Sequence, residues 1–309
     1  MKHELISIVI PLYNEKESIH ELIARIHESL KEVGPFEYVF IDDGSTDGSF
    51  AALVREKKNV KEPMTLVRFR KNCGKSAALS EGFSRIHGDV VVTMDADLQD
   101  DPREIAKLLS VLDRGYDVVV GWKKTRHDEK GRVVLSHIFN SIVSRIFRLH
   151  LHDMNCGLKV MRREVTDDIE VYGELHRFIP VLAHTKGFSV TEIPIMHHAR
   201  KYGVSKFGME RVVRAPFDLM STLFLTSFRT RPLQIFGPVG LVCIVVGLIQ
   251  LLYLTVIHFM GQSIGRRPLL FLGILFVLFG VQLVSTGLLG ELVTKTNIHK
   301  EKHPVAEVV

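Results

Sequence analysis

Cysteine is too sparse in this chain to organise it. Cys73, Cys156 and Cys243 lie far apart and form no CxxC pair. That argues against a disulfide framework or a structural zinc site and points to a reducing compartment. Concentrated charge is also lacking. The 40 Lys and Arg against 35 Asp and Glu leave a net charge of only +5, spread along the chain. A nucleic-acid binder gathers its basic residues, so an anionic ligand or a lipid surface is expected and nucleic acid is not. No secretory leader is read at the N-terminus: the apolar run 5–12 is too short, follows Glu4, and is expected to be a strand. His197 and His198 are adjacent, which on a strand sends them to opposite faces and argues against joint metal ligation.

Charge then disappears altogether. Residues 232–265 contain no Asp, Glu, Lys or Arg, and after Arg266 and Arg267 neither do residues 268–290. About 20 apolar residues cross a bilayer as a helix, and a buried soluble helix of this length rarely lacks a polar face. Spans over 236–260 and 269–289 are therefore expected, joined by a short loop into a hairpin. Arg229, Arg231, Lys295, Lys300 and Lys302 flank its open end, whereas the loop carries Arg266 and Arg267. The positive-inside rule puts the open end, and the large N-terminal domain, in the cytoplasm. Gly240 and Gly247 are seven apart, as are Gly273, Gly280 and Gly287, which suits close helix pairing within or between subunits. A homo-oligomer through these helices is the expectation. Residues 207–231 mix Arg211 and Arg214 with apolar side chains and are read as interfacial amphipathic helices. The expected organisation is a domain over 1–206, the interfacial stretch, the hairpin over 232–293 and a cytosolic tail over 294–309.

The N-terminal part alternates apolar strand-like runs, at 6–11, 38–41, 64–69, 90–94 and 118–120, with helical patterns between them. Such alternation predicts an α/β fold with a mostly parallel sheet and right-handed crossovers. Ligands bind such sheets at the carboxyl ends of the strands. The predicted ends read PLYNE, DDGSTDGS, RFRKNCGKS and DADLQ, so three of four carry carboxylates towards one rim. The GKS at 74–76 is not a phosphate loop, because Phe69 stands where that motif needs glycine.

Four carboxylates, Asp95, Asp97, Asp100 and Asp101, fall within seven residues and repel one another unless something cationic sits among them. In an extended DAD both aspartates face the same way, and Gln99 adds a neutral oxygen. Hard oxygen ligands on an open loop suit Mg2+ or Mn2+, with substrate phosphate completing the shell. Asp100 and Asp101, just before Pro102, are assigned to the N-terminus of the next helix.

Taken in order, PLYNE, DDGSTDGS, RKNCGKSAAL, DADLQDDP and EIPIMHHARKYGVSK resemble glycosyltransferase family 2. More narrowly they resemble its polyprenyl-phosphate glycosyltransferases of the bacterial type with a C-terminal membrane hairpin. The resemblance implies a GT-A-like, Rossmann-related domain, a UDP- or GDP-sugar donor and a polyprenyl phosphate acceptor, with undecaprenyl phosphate the bacterial expectation. It implies that Pro11, Tyr13, Glu15, Ile41, Asp43 and Ala96 line the nucleotide-sugar site, that Asp95, Asp97 and Gln99 hold the metal, and that Arg200, Ser205 and Lys206 clamp phosphates. The catalytic set it implies is Asp97, Asp153, Arg200 and Lys206. Relatives show Gly-Ser-Arg after the fifth strand, whereas Gly121-Trp122-Lys123 stands here, with Arg126 or Arg132 as substitutes for the lost phosphate contact. His176 and Arg177 are assigned either to a sugar or acceptor pocket or to a helix surface. A processive polysaccharide synthase would carry Q-x-x-R-W and more spans. A non-catalytic membrane scaffold would not need DADLQ, Arg200 and Lys206 together.

Overall fold

The computed structural model describes residues 3–123, 147, 149–198, 201, 233–264, 267–296 and 305–308. It divides into two compact units, Met1–Met209 with Lys302–Val309, and Glu210–Glu301.

The first unit is built on β1 (Ile6–Leu12), β2 (Phe36–Asp42), β3 (Met64–Phe69), β4 (Val90–Thr93), β5 (Val118–Lys123), β6 (Lys159–Arg162), β7 (Val190–Ile195) and β8 (Val305–Val308). Their order across one sheet is β7-β5-β6-β4-β1-β2-β3-β8. β1 and β2 are buried along their whole length, which explains why they read as continuous apolar runs rather than alternating ones. The crossover α1 (Ile19–Leu30) buries Ile19, Leu22, Ile23, Ile26 and Leu30, the three-and-four spacing of one helix face. α2 (Ser49–Lys57), α3 (Lys75–Phe83) and α4 (Ile105–Leu112) make the other early crossovers. α5 (Arg163–Asp168) and α6 (Ile179–Thr185) follow β6.

The pairing directions decide what meets at the rim. β4, β1, β2 and β3 are mutually parallel, so their carboxyl ends share one edge of the sheet. β6 runs antiparallel to β4 and β5, so its amino end arrives at that same edge, with Lys159 opposite Thr93. β5 and β7 are parallel to each other and end there too. Thus the loops after β1, β2, β3 and β4, the loop carrying Asp153 into β6, and the chain leaving β7 towards Arg200 all converge. β6, β7 and β8 are elements that the sequence reading did not anticipate. β8 pairs antiparallel with β3, so residues expected to be a plain tail close the sheet's far edge.

The second unit is a hairpin of α7 (Leu233–Phe259) and α8 (Pro268–Thr296). Phe236–Phe259 and Pro268–Gly290 are long and apolar enough to cross a membrane. The glycine stripe is used inside the chain. A Cβ on Gly240 would lie 2.7 Å from the Gly280 carbonyl, and one on Gly247 would lie 2.7 Å from that of Gly273. The two backbones touch where side chains are absent, which is why glycine recurs every seven residues on both helices. The stripe that suggested self-association is therefore occupied by the neighbouring helix. The interfacial stretch 207–231 lies outside the described residues.

Candidate active site

The loops after β1 and β2 are laced into one surface. Asn14, at a left-handed φ of 53°, donates its backbone N–H to the Ser45 hydroxyl at 2.8 Å, and its side-chain oxygen accepts from Thr46. Glu15 N–H donates to the Ser49 hydroxyl at 3.0 Å. Pro11 and Ile41 are direct register partners, and Asp43 N–H donates to the Leu12 carbonyl at 2.9 Å. The residues expected to hold a nucleoside, Pro11, Tyr13, Glu15, Ile41 and Asp43, are in this way neighbours, with Tyr13 and Glu15 half-buried at its surface.

Asp43 also ties in the third loop. Its two carboxylate oxygens accept from the backbone N–H groups of Cys73, at 2.6 Å, and Gly74, at 2.9 Å. Burial raises its pKa above the ordinary value against the pull of those N–H donors. Gly44 makes this approach possible: its φ is +73°, and a Cβ there would fall 2.6 Å from the Lys71 backbone.

The four carboxylates of the acidic loop separate into two kinds. Asp100 is buried and sits 3.1 Å from Lys123 and 3.3 Å from His197. Burial would raise its pKa, but the Lys123 charge and the His197 contact outweigh that and hold the carboxyl well below the usual range. Asp101 accepts from the Arg103 backbone at 3.0 Å, capping the single turn Pro102–Glu104, and also meets the Arg103 guanidinium and His198 at 3.1 Å. Asp101 therefore serves the helix start as expected. Asp100 does not, because Lys123 reaches it first. The adjacent histidines serve different aspartates. Lys123 is turned inward onto Asp100, and Trp122 stacks on His152 with ring centroids 4.2 Å apart, which accounts for their departure from Gly-Ser-Arg.

Asp95 and Asp97 lie on the open side. Asp95 Oδ1 pairs with the Lys75 ammonium at the start of α3. Asp97 accepts from Gln99 N–H at 3.2 Å around Leu98, which is buried and held at a left-handed φ of 60°. That strained turn bends DADLQ so that Ala96 and Leu98 point into the core while Asp95 and Asp97 stay at the rim. The backbone of Gly157 packs against Asp95: a Cβ there would lie 2.6 Å from Oδ2.

Among the described residues no three His, Cys, Asp or Glu side chains surround one point. The donor set still fits a divalent ion of the magnesium kind, which takes one or two protein carboxylates and completes its shell with water and phosphate. Asp95, with its charge now matched by a lysine, and Asp97 are the carboxylates available for that role, since Asp100 and Asp101 are committed elsewhere.

Beside Asp95 lies a small pocket lined by Pro11, Lys75, Asp95, Asn155, Lys159 and His176 among others. Its volume of about 10 Å3 has room for roughly one water molecule. His176 is tied to α3, its Nδ1 lying 2.9 Å from the Ser76 hydroxyl. That places it in the pocket rather than on a helix surface. Lys159, only 3% exposed, donates to the Cys156 carbonyl, and burial pushes its pKa down to about 8. Asp153 is buried at the entry to β6, where its Oδ1 accepts from Asn155 N–H at 3.3 Å. Sequence reasoning missed Lys75, Gly157 and Lys159. The GKS was weighed only as a phosphate loop, and a lysine beginning a strand carries no signal until the strand's direction is known. Arg200, Ser205 and Lys206, with Arg126 and Arg132, lie outside the described residues; Lys201, between them, donates to Glu21 at 2.8 Å.

A family model described as Glycosyl transferase family 2 matches residues 7–170. The dodecaprenyl-phosphate galacturonate synthase of Rhizobium johnstonii is 36% identical, over 97% of this chain and 90% of the relative. The undecaprenyl-phosphate 4-deoxy-4-formamido-L-arabinose transferase of Klebsiella pneumoniae is 35% identical, over 93% and 87%. In fold, the chain is similar to glucosyl-3-phosphoglycerate synthase from Mycobacterium tuberculosis, solved with Mn2+, UDP-glucose and phosphoglyceric acid. The TM-score is 0.57 at 17% identity, covering 72% of this chain and 79% of that one. Mannosyl-3-phosphoglycerate synthase from Rubrobacter xylanophilus gives 0.57 at 16% identity, covering 74% and 75%.

Proposed function

The chain belongs to glycosyl transferase family 2, among its polyprenyl-phosphate glycosyltransferases, and on that footing we propose that it transfers a sugar from a UDP- or GDP-sugar to undecaprenyl phosphate at the cytoplasmic face of the inner membrane. The observation that carries this is the convergence on one rim of the Pro11–Ile41 surface, the Asp95–Asp97 turn and the strand end leading to Arg200.

The nucleoside packs against Pro11, Tyr13, Glu15, Ile41 and Asp43. Asp95, Asp97 and Gln99 would hold Mg2+ or Mn2+, which would supply positive charge against the leaving diphosphate. A divalent ion is favoured by the fold neighbour solved with Mn2+ and UDP-glucose. Lys75, the ion-pair partner of Asp95, would add a further positive charge at the same place. Arg200, Ser205 and Lys206 clamp phosphates, the guanidinium as a planar fork and the ammonium as a point charge.

A lipid phosphate is already anionic near neutral pH, so the reaction needs alignment more than a base. A phosphate oxygen of the acceptor forms the new bond to the anomeric carbon. The bond from that carbon to the donor diphosphate breaks in line, and the nucleoside diphosphate leaves with the electron pair. Configuration at the anomeric carbon inverts. Asp153 orients the sugar or Asn155 rather than removing a proton. The relatives' names, each a polyprenyl-phosphate sugar enzyme, support the acceptor class. The apolar spans, with basic residues concentrated at their open end, support a membrane position with the domain inside.

The test is to incubate the purified full-length protein with undecaprenyl phosphate, Mg2+ or Mn2+ and a panel of UDP- and GDP-sugars. A lipid-linked sugar and free nucleoside diphosphate should appear in equal amounts. Absence of product with every donor, together with nucleotide binding that ignores the metal, would refute the proposal.

A further inference from the structure

Glu192 sits within β7 as the register partner of Val120 on β5, which in turn faces Lys159 on β6. Among the described residues its carboxylate serves one place, the segment that enters β6. Oε2 accepts from the backbone N–H groups of His152, at 2.8 Å, and Asp153, at 3.3 Å, and Oε1 meets the Nδ1 of His152. Successive N–H groups turned onto one anion form a nest, a compact carboxylate site. The Glu192 side chain is 11% exposed and that of His152 62%, so the ring contact is screened and the charge-assisted bonds to the two N–H groups do most of the holding. A second strand pins the same residue: Trp122, near the end of β5, stacks on the His152 ring with planes 18° apart. The far end of the segment is fixed too. The Thr93 hydroxyl donates to the Gly157 carbonyl at 2.9 Å, and Gly157 packs on Asp95. Between these anchors lie the buried Asp153, whose Oδ1 accepts from Asn155 N–H, and Asn155 itself, which lines the small pocket beside Asp95.

We propose, resting on the transferase reading above, that Glu192 is a positioning residue for the transfer step, acting through Asp153 and Asn155 rather than on the substrate. A strand carboxylate kept for stability alone is expected to bind its neighbours in the sheet. Glu192 instead places its contacts 39 and 40 positions earlier, on Asp153 and on the residue before it. Without this grip the two N–H groups turn to water, and the segment is held only by its far anchor. A displacement of ~1 Å at a group that orients substrate can cost as much as ~100-fold in rate. The nucleoside surface and the Asp95–Asp97 turn rest on other contacts, those of Ser45, Ser49, Cys73, Gly74 and Gln99. Donor and metal binding should therefore not depend on Glu192.

The experiment compares three substitutions in the full-length protein in detergent. Glu192→Leu keeps the size and removes the acceptor. Glu192→Asp keeps the charge but is one methylene too short to reach. Glu192→Gln keeps an oxygen for both N–H groups. With undecaprenyl phosphate, Mn2+ and the donor that turns over, Glu192→Leu and Glu192→Asp should each lower kcat by about three- to tenfold, no more than Asp153→Asn does, and leave donor KM within about twofold. Glu192→Gln should stay near wild type. In an Asp153→Asn background Glu192→Leu should cost little further, because the two act as a unit. Trp122 is the chain's only tryptophan, so its emission reports whether the His152 ring stays stacked. That emission should change in Glu192→Leu and Glu192→Asp and not in Glu192→Gln. A Glu192→Gln variant as poor as Glu192→Leu overturns the inference, since charge and not the grip is then what matters. So does a donor KM that rises in step with the loss of kcat, or additive losses in the double variant, since Glu192 then serves the donor or the fold. The Asp and Gln substitutions decide the matter if Glu192→Leu does not fold. If the wild type transfers no sugar, the transferase reading fails and this role with it, whereas the Trp122 emission still shows whether Glu192 holds the turn.

Discussion

Lys123 and Asp100 form an ion pair 3.1 Å apart across the strand end, with Asp100 almost wholly buried. Burial opposes the charge on both, and each holds the other ionised against it. Lys123→Met should leave Asp100 facing only His197 and destabilise the domain by about 3–5 kcal/mol, the usual result of orphaning a buried charge. Thermal unfolding of the purified protein measures this. The pair's contribution also carries a pH signature. The Asp100 part is present above the ordinary carboxylate pKa of ~3.9 and fades as pH falls through its lower folded value. The Lys123 part is present below ~10.4 and fades as pH rises through its higher one.

Asp95→Asn and Asp97→Asn should each abolish the tightening of nucleotide binding by Mn2+. A loss of at least ~10–100-fold is expected, the amount that even a supporting group can cost a metal site. Asp95→Asn should also leave Lys75 without its carboxylate, so that metal-free nucleotide binding strengthens while metal-dependent binding disappears. Titration with and without Mn2+ separates the two effects. Metal-dependent tightening unchanged in both variants would remove the DAD turn from the site.

Asp153→Asn should lower kcat by roughly tenfold without moving the pH profile, because an orienting group loses position and not a proton. A profile displaced on its acid limb would instead make Asp153 a base. Retained turnover with an unaltered profile would take Asp153 out of the mechanism.

Lys159 gives a stability prediction of opposite sign to Lys123. Its folded pKa, pushed down to about 8 by burial, lies below the ~10.4 of an unfolded lysine. Lys75 disfavours the Lys159 charge, while Asp95, Asp153 and Cys156 favour it. Between those values the unfolded chain binds more protons, so stability should rise with pH by about 3 kcal/mol at most. Lys159→Met should flatten that rise and increase the melting temperature at pH 7.

Gly247→Leu or Gly240→Leu should separate α7 from α8, since each added side chain would enter a space already filled by the Gly273 or Gly280 backbone. A loss of at least ~1–3 kcal/mol is expected. Circular dichroism during thermal unfolding in micelles checks it. Leu252→Ala, at a position of α7 that is 66% exposed, controls for substitutions away from the helix contact.

How far the sequence speaks for itself differs between parts of the site. The parallel strands β1, β2 and β4 were legible because they are buried along their length and so hold apolar runs closed by polar loops, and β3, part-exposed at Thr65 and Arg68, keeps a buried Leu66–Val67. The spans were legible for the same reason in a different solvent. β6 and β7 were not, because KVMR and VTEIPI mix charge with apolar residues, and only their antiparallel or edge-side pairing makes strands of them. DAD stood out by its mutual repulsion. The relief of that repulsion did not, since Lys75, Lys123, His197 and His198 are brought to it from three separate elements. Asp100 and Asp101 looked alike in sequence and are not alike in the fold. One caps a turn and the other is locked by a lysine 23 positions away. Lys159 was invisible as a candidate because nothing local marks a lysine as buried.

The pairing of β8 with β3 has a consequence for biogenesis. The strand that completes the sheet is translated only after both apolar helices, and on the proposed topology it reaches its place once the chain has crossed the bilayer out and back. A molecule whose second span fails to insert leaves β3 exposed as a bare, aggregation-prone edge. On that topology, threading of the hairpin and completion of the sheet are coupled through β8.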